Sequence, residues 1–198
     1  MPDPPNVGLF TRLVLENPYP IAVVAIAVGA GLLLSGLRQG LRNRQRNGIL
    51  GISVAIAVLI IAWSVTTSGE HAKALTRSLV QATAQADAVK VMSHFTSDAT
   101  MSFTSPTNPG YPIDYIEAQA IRLESKFNIE SNRIGSLNGF TQSANSAIVH
   151  LSCSTTIAGG YGAIPTSWVL RIERQDDDSW KVVHFTWISI FNRPPPEL

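Results

Sequence analysis

Two apolar runs at the front of the chain show no helical stripe, because every face of each is apolar. Their cores read PIAVVAIAVGAGLLLSGL and ILGISVAIAVLIIAWSV, and no charged residue or histidine falls within 17–37 or 47–69. A helix crosses a bilayer with about 17–25 mostly apolar residues, so spans are predicted over 18–37 and 49–67. A buried core helix is the competing reading of one such run; two of them in so short a chain favour the bilayer. A cleaved signal peptide is disfavoured, because the chain before the first run is acidic and Pro-rich and no small-residue cleavage site precedes the arginines. Ala25, Gly29 and Gly31, and Ser53 and Ala57, offer small faces on which the helices can pack closely.

Beyond residue 67 the pattern becomes periodic. Thr67-Ser-Gly-Glu70 fits a capping box. Leu75, Leu79, Ala82, Ala86, Val89, Met92 and Phe95 then recur at steps of three and four, which predicts one helix running to about 96. A short strand fits 101–104, and the turn formers of SPTNPGYP follow it. Ile113, Ile116, Ala120, Leu123 and Phe127 predict a second helix over 113–127, opened by Pro112. From 129 onward β-branched and aromatic residues predict strands over 133–141, 146–157, 166–174 and 180–190, with Asn138-Gly139 as a turn or bulge. Gly159-Gly160-Tyr161-Gly162 and Asp176-Asp177-Asp178-Ser179 read as turns between them. Helices first and strands last is the α+β order, and short connections predict a curved antiparallel sheet. The resulting plan is a tail over 1–17, two spans around a basic loop at 38–48, an outer domain over 68–191 and an exposed Pro-rich tail over 192–198.

Charge fixes the expected orientation. The formal net charge is only +1, but it averages unlike regions. Arg38, Arg42, Arg44 and Arg46 stand in 38–48 without an acid, whereas residues 49–198 carry 10 bases and 12 acids. Positive loops stay on the cytoplasmic side, so both termini and the large domain are expected outside a bacterial inner or plasma membrane. Tyr19 and Trp63 agree, standing at the outer ends of the two spans. The bilayer is thus the first expected partner. The four arginines can also contact anionic head groups. A mildly acidic domain across the membrane from them argues against nucleic acid.

The order of elements after the membrane resembles the NTF2-like, SnoaL-like superfamily. The opening is carried by AQADAVKVMSHFTSDATMSF (84–103), with Asp87, Phe95 and Asp98-Ala99 at the family's positions. The ending is carried by RIERQDDDSWKVVHFTWISI (171–190). The resemblance covers roughly 70–191 and implies a cone, a bent sheet around helices with a pocket at its mouth. It includes isomerases, cyclases, dehydratases and many non-enzymes. In plan the chain is similar to VirB8-like assembly subunits and Mce-associated membrane proteins, which usually have one anchor where this chain has two. Such a fold does not choose a function.

Candidate chemistry is sparse. The groups available to an acid–base site are His71, His94, His150 and His184, Asp87, Asp98 and Asp114, and Tyr111, Tyr115 and Tyr161. Strand alternation sets Ala147, Val149, Leu151 and Cys153 toward the core and His150 on the polar face, which argues against a buried base. Both faces of 180–190 are apolar, as in a central strand covered on both sides. The pocket candidates are therefore His184, Asp98 and Tyr161. A hydrogen-bonded packing role suits His184 better than a catalytic one, and a helix end or turn suits Asp98 better than a general base. The Tyr–Asp pair of ketosteroid-isomerase-type enzymes is not evident. No metal-ligand spacing occurs, no phosphate loop follows Gly159-Gly160, and no cofactor is implied. Cys153 is the single cysteine and reads as a small core hydrophobe. The expectation is a membrane-anchored, non-enzymatic binding or assembly module that meets another envelope protein or a second copy. A small-molecule-binding or isomerase-like enzyme is the alternative.

Overall fold

A computed structural model describes residues 19–64, 66–126, 128–159 and 162–196. The 1–17 tail, Tyr161 and the side chain of Trp63 lie outside the described residues. The chain divides into two compact units, one holding the first two helices and the other everything from Ser68.

In the first unit α1 (Tyr19–Gln39) and α2 (Arg42–Ser64) pack against each other. The connection is far shorter than a loop over 38–48. Gly40, with φ +67°, ends α1, and Arg42, Arg44 and Arg46 already belong to the first turns of α2. Arginine is a good helix former, so the basic stretch continues the helices. Gly29 and Gly36 of α1 meet Gly48, Ile52 and Gln45 of α2: a Cβ on Gly48 would lie 2.6 Å from the Leu33 backbone nitrogen. Gly31 faces open space, and the α2 contact face carries buried Gly48 and Ala55, with Ser53 and Ala57 exposed. Large apolar side chains point outward, among them Val23 and Val24 at 63% and Leu37 at 60% exposure. Among the described residues α1 is the one helix long and apolar enough to cross a membrane.

The second unit opens with α3 (Ser68–Ala84), whose helix does not continue to 96. Ala86 turns left-handed at φ +50°, and Asp87 caps a new short helix, α4 (Ala88–Met92), by accepting the Lys90 N–H. The first strand consequently starts early, as β1 (Phe95–Phe103), and Asp98 is an exposed strand residue rather than a helix end. There follow α5 (Ile113–Lys126), β2 (Ile129–Ser143), β3 (Ser146–Ile157), β4 (Ala163–Arg174) and β5 (Trp180–Ile190). The strands form one curved five-stranded sheet in the order β1-β5-β4-β3-β2. The sheet is mixed, not antiparallel. The link through α5 carries the chain from one edge to the other, so the β2–β5 meander returns to lie parallel to β1.

The core lies between the helices and one sheet face. Ala147, Val149, Leu151, Cys153, Leu170, Ile172 and Val182 meet Ala72, Leu79, Val91, Ile116 and Ala120 there. Burial raises the Cys153 thiol to about 11. Asn138-Gly139 makes neither turn nor bulge; it runs inside β2 opposite His150 and Val149. Gly139 is needed for close approach: a Cβ there would lie 2.4 Å from the Gly69 carbonyl oxygen of α3. The tail beyond β5 is not simply extended. Phe191 and Asn192 take positive φ, so Ile190 and Arg193 bond across a tight turn, and Pro195 is buried.

Candidate functional site

Two places in the second unit gather candidate functional side chains, one on each face of the sheet. The outer face is built from two rungs that cross the strands in register. Phe140, Ile148, Arg171, His184 and Thr100 form one, and Asn138, His150, Val169, Thr186 and Ser102 the next. The loop after β1 folds over this face. Thr104 reverses the chain at φ +69°, Ser102 donates to the Ser105 carbonyl at 3.1 Å, and Pro106 joins the wall. A cleft of about 440 Å³ remains, lined by Thr100, Pro106, Gln142, Ile148, His150, Val169, Arg171, Val183 and His184.

A bulge in β5 brings His184 here. Arg171 pairs with His184 but Ile172 pairs with Val182, so Val183 is the extra residue. Trp180 and Val182 therefore face the core together with Phe185 and Trp187, while Val183, His184 and Thr186 face outward. Simple alternation puts His184 on the Val182 face; the bulge moves it. Both ring nitrogens are occupied, Nδ1 by Thr100 Oγ1 at 2.7 Å and Nε2 by Ser102 Oγ at 3.0 Å. The single Ser102 proton goes to the Ser105 carbonyl. In the neutral ring, Nε2–H therefore donates to Ser102, and the Thr100 hydroxyl donates to Nδ1. Burial, then the nearby Arg171 guanidinium, lowers the His184 pKa. His150 is only 6% exposed, contrary to its expected polar-face exposure. Phe140 covers it edge-on at 5.1 Å, and burial lowers its pKa too.

The helix-covered face carries an aromatic group where α5 meets β1. Trp168 stacks on Phe185 at 4.7 Å and on Trp187 at 5.1 Å. Phe103 lies 6.1 Å from Trp187 and edge-on to Tyr111 and Tyr115. Both indole N–H groups are satisfied, by Thr166 Oγ1 and the Ser189 carbonyl. The Tyr115 hydroxyl is buried with no hydrogen-bond partner, and burial, then Tyr111, raises its pKa. Tyr111 is 44% exposed at the rim.

The remaining candidates do not converge. Asp98 and Asp114 are exposed, Asp87 is a helix cap, and His94 ties α4 to α3 through Ser78. His71 stacks on Trp180 at 5.3 Å. Among the described residues no group of His, Cys, Asp and Glu could hold a metal ion.

No family model and no curated protein sequence matches the chain. Solved structures do. An NTF2-like protein of unknown function from Pseudomonas putida aligns over 61% of this chain and 84% of its own, at 12% identity and a TM-score of 0.50. A function-unknown protein of Mycobacterium tuberculosis aligns over 65% and 76%, at 14% identity and a TM-score of 0.50. A protein of Novosphingobium aromaticivorans, provisionally named an aromatic ring hydroxylase, aligns over 61% and 87%, at 13% identity and the same score. At such identity the likeness is one of fold, and it agrees with the α+β order and the curved mixed sheet: the unit that follows the two N-terminal helices has the NTF2-like fold.

Proposed function

We propose that this chain is a membrane-anchored binding module. Its NTF2-like domain, over 68–191, stands outside the cytoplasmic membrane and docks another envelope protein or a second copy through its aromatic face. The observation that carries the reading is that face itself. Phe103, Tyr111, Tyr115, Trp168 and Trp187 form one connected cluster with an exposed rim, and aromatic side chains with a polar tip are the usual anchors of protein interfaces. Anchoring is supported by the length and apolarity of α1 and by outward apolar side chains on α2 such as Leu50 and Ile60. Four arginines gathered where the two helices join support an inner position for that end. The similarity in plan to VirB8-like and Mce-associated proteins belongs to the same reading.

The Tyr115 hydroxyl favours the second reading, a small-molecule-binding or isomerase-like enzyme, because it is a free donor among rings. An isomerase also needs a base, and Asp98 and Asp114 are both exposed and share no hydrogen bond with a tyrosine among the described residues.

A photo-crosslinking amino acid at Tyr111 tests docking in intact membranes. A discrete adduct is expected from position 111, and none from Asp177, in the turn after β4. Monomer alone at both positions, or the same adducts at both, contradicts the proposal.

A further inference from the structure

We propose that the outer-face cleft binds an organic carboxylate with an apolar body, held by the Arg171 guanidinium. This goes beyond the docking role, because it uses the opposite face of the sheet. Arg171 sits mid-strand at the centre of the first rung, paired with Ile148 on one side and His184 on the other. Its Nε is taken by Glu173 at 3.1 Å, in a pair whose side chains are 54% and 37% exposed. Among the described residues its Nη groups have no partner. An exposed pair of this kind contributes little, so a ligand can compete with it, and a planar guanidinium suits a planar carboxylate.

The rest of the cleft selects against other ligands. Arg171 is the single formal cation in the lining, which suits one negative charge better than a phosphate dianion. His184 adds no free nitrogen, since both its ring positions are bonded to hydroxyls. Its part is positional, fixing Thr100 at the rim. Gln142 and His150 supply further polar contacts, and Ile148, Val169, Val183 and Pro106 supply apolar wall for the body of the ligand.

Benzoate is the probe, with benzamide as its uncharged isostere, added to the full chain in non-ionic micelles and followed by saturation-transfer NMR. Saturable benzoate binding is expected, at least tenfold tighter than benzamide. Arg171→Gln is expected to weaken benzoate at least tenfold while leaving benzamide unchanged. Arg171→Lys keeps the charge but not the fork. It is expected to bind benzoate several-fold more weakly than the parent while still preferring it to benzamide, and it carries the test should Arg171→Gln not fold. Equal binding of benzoate and benzamide, benzoate binding that survives Arg171→Gln, or no saturable benzoate signal overturns the proposal.

Discussion

Burial lowers the pKa of two histidines on the outer sheet face, and this gives the domain a defined pH response. The ordinary value is near 6.5, and both His150 and His184 lie below it in the folded chain. As pH falls through 6.5 the unfolded chain takes up protons first, so stability is full above that value and drains as pH drops toward the native ones. The urea midpoint of the full chain in micelles is expected to fall between pH 7.5 and pH 5.5. The His150→Gln/His184→Gln double variant is expected to flatten that fall, and an unchanged slope contradicts the account. The position of these residues was only half legible in the sequence. Alternation along 146–157 sets Val149 and Leu151 in the core correctly, yet it cannot show that Phe140 covers His150 on the other face. Along 180–190 no residue type announces the extra Val183, and one inserted residue reverses every side chain beyond it.

At the level of elements, close backbone approach explains features that propensity does not. Gly139 is a poor strand residue by propensity, so replacing it by alanine on an open strand is expected to be neutral or favourable. Here the new methyl would meet the Gly69 carbonyl of α3 at 2.4 Å. Gly139→Ala is expected to destabilise the domain by about 1–3 kcal/mol, the usual range for overpacking, measured as a lowered urea midpoint. A stability gain contradicts the contact. The bounds of α1, α5, β3 and β5 were readable to within a residue or two, from a continuous apolar run for α1, helical spacing for α5 and β-branched and aromatic residues for the strands. The break between α3 and α4 was not, because Ala82, Ala86, Val89 and Met92 keep the helical spacing straight through it. What interrupts the helix is the positive φ at Ala86, and the only local sign is Asp87 three residues before Lys90. The aromatic face needed the β1–β5 pairing to assemble, since Phe103 and Trp187 are distant in sequence and meet only through that parallel register.

For the whole molecule, a near-zero net charge conceals a division between an arginine-bearing helix pair and a mildly acidic NTF2-like unit. That division supports the proposed orientation, with the turn between α1 and α2 inside and the folded domain outside. The α+β class was legible because hydrophobic period changes sharply near residue 67 and the later runs are rich in β-branched and aromatic residues. The partner was not, because docking surfaces and core strands draw on the same tryptophans and tyrosines. The most direct measurement of the central claim is labelling of intact cells by a membrane-impermeant maleimide, on single-cysteine chains in a Cys153→Ser background. Asp177→Cys, in the exposed turn before β5, is predicted to label from outside. Leu41→Cys, in the turn between the helices, is predicted to label only after permeabilisation, and both chains are predicted to stay with the membrane through an alkaline carbonate wash. Labelling of Leu41→Cys from outside, or release of either chain into the wash, contradicts an outward-facing domain on a membrane anchor.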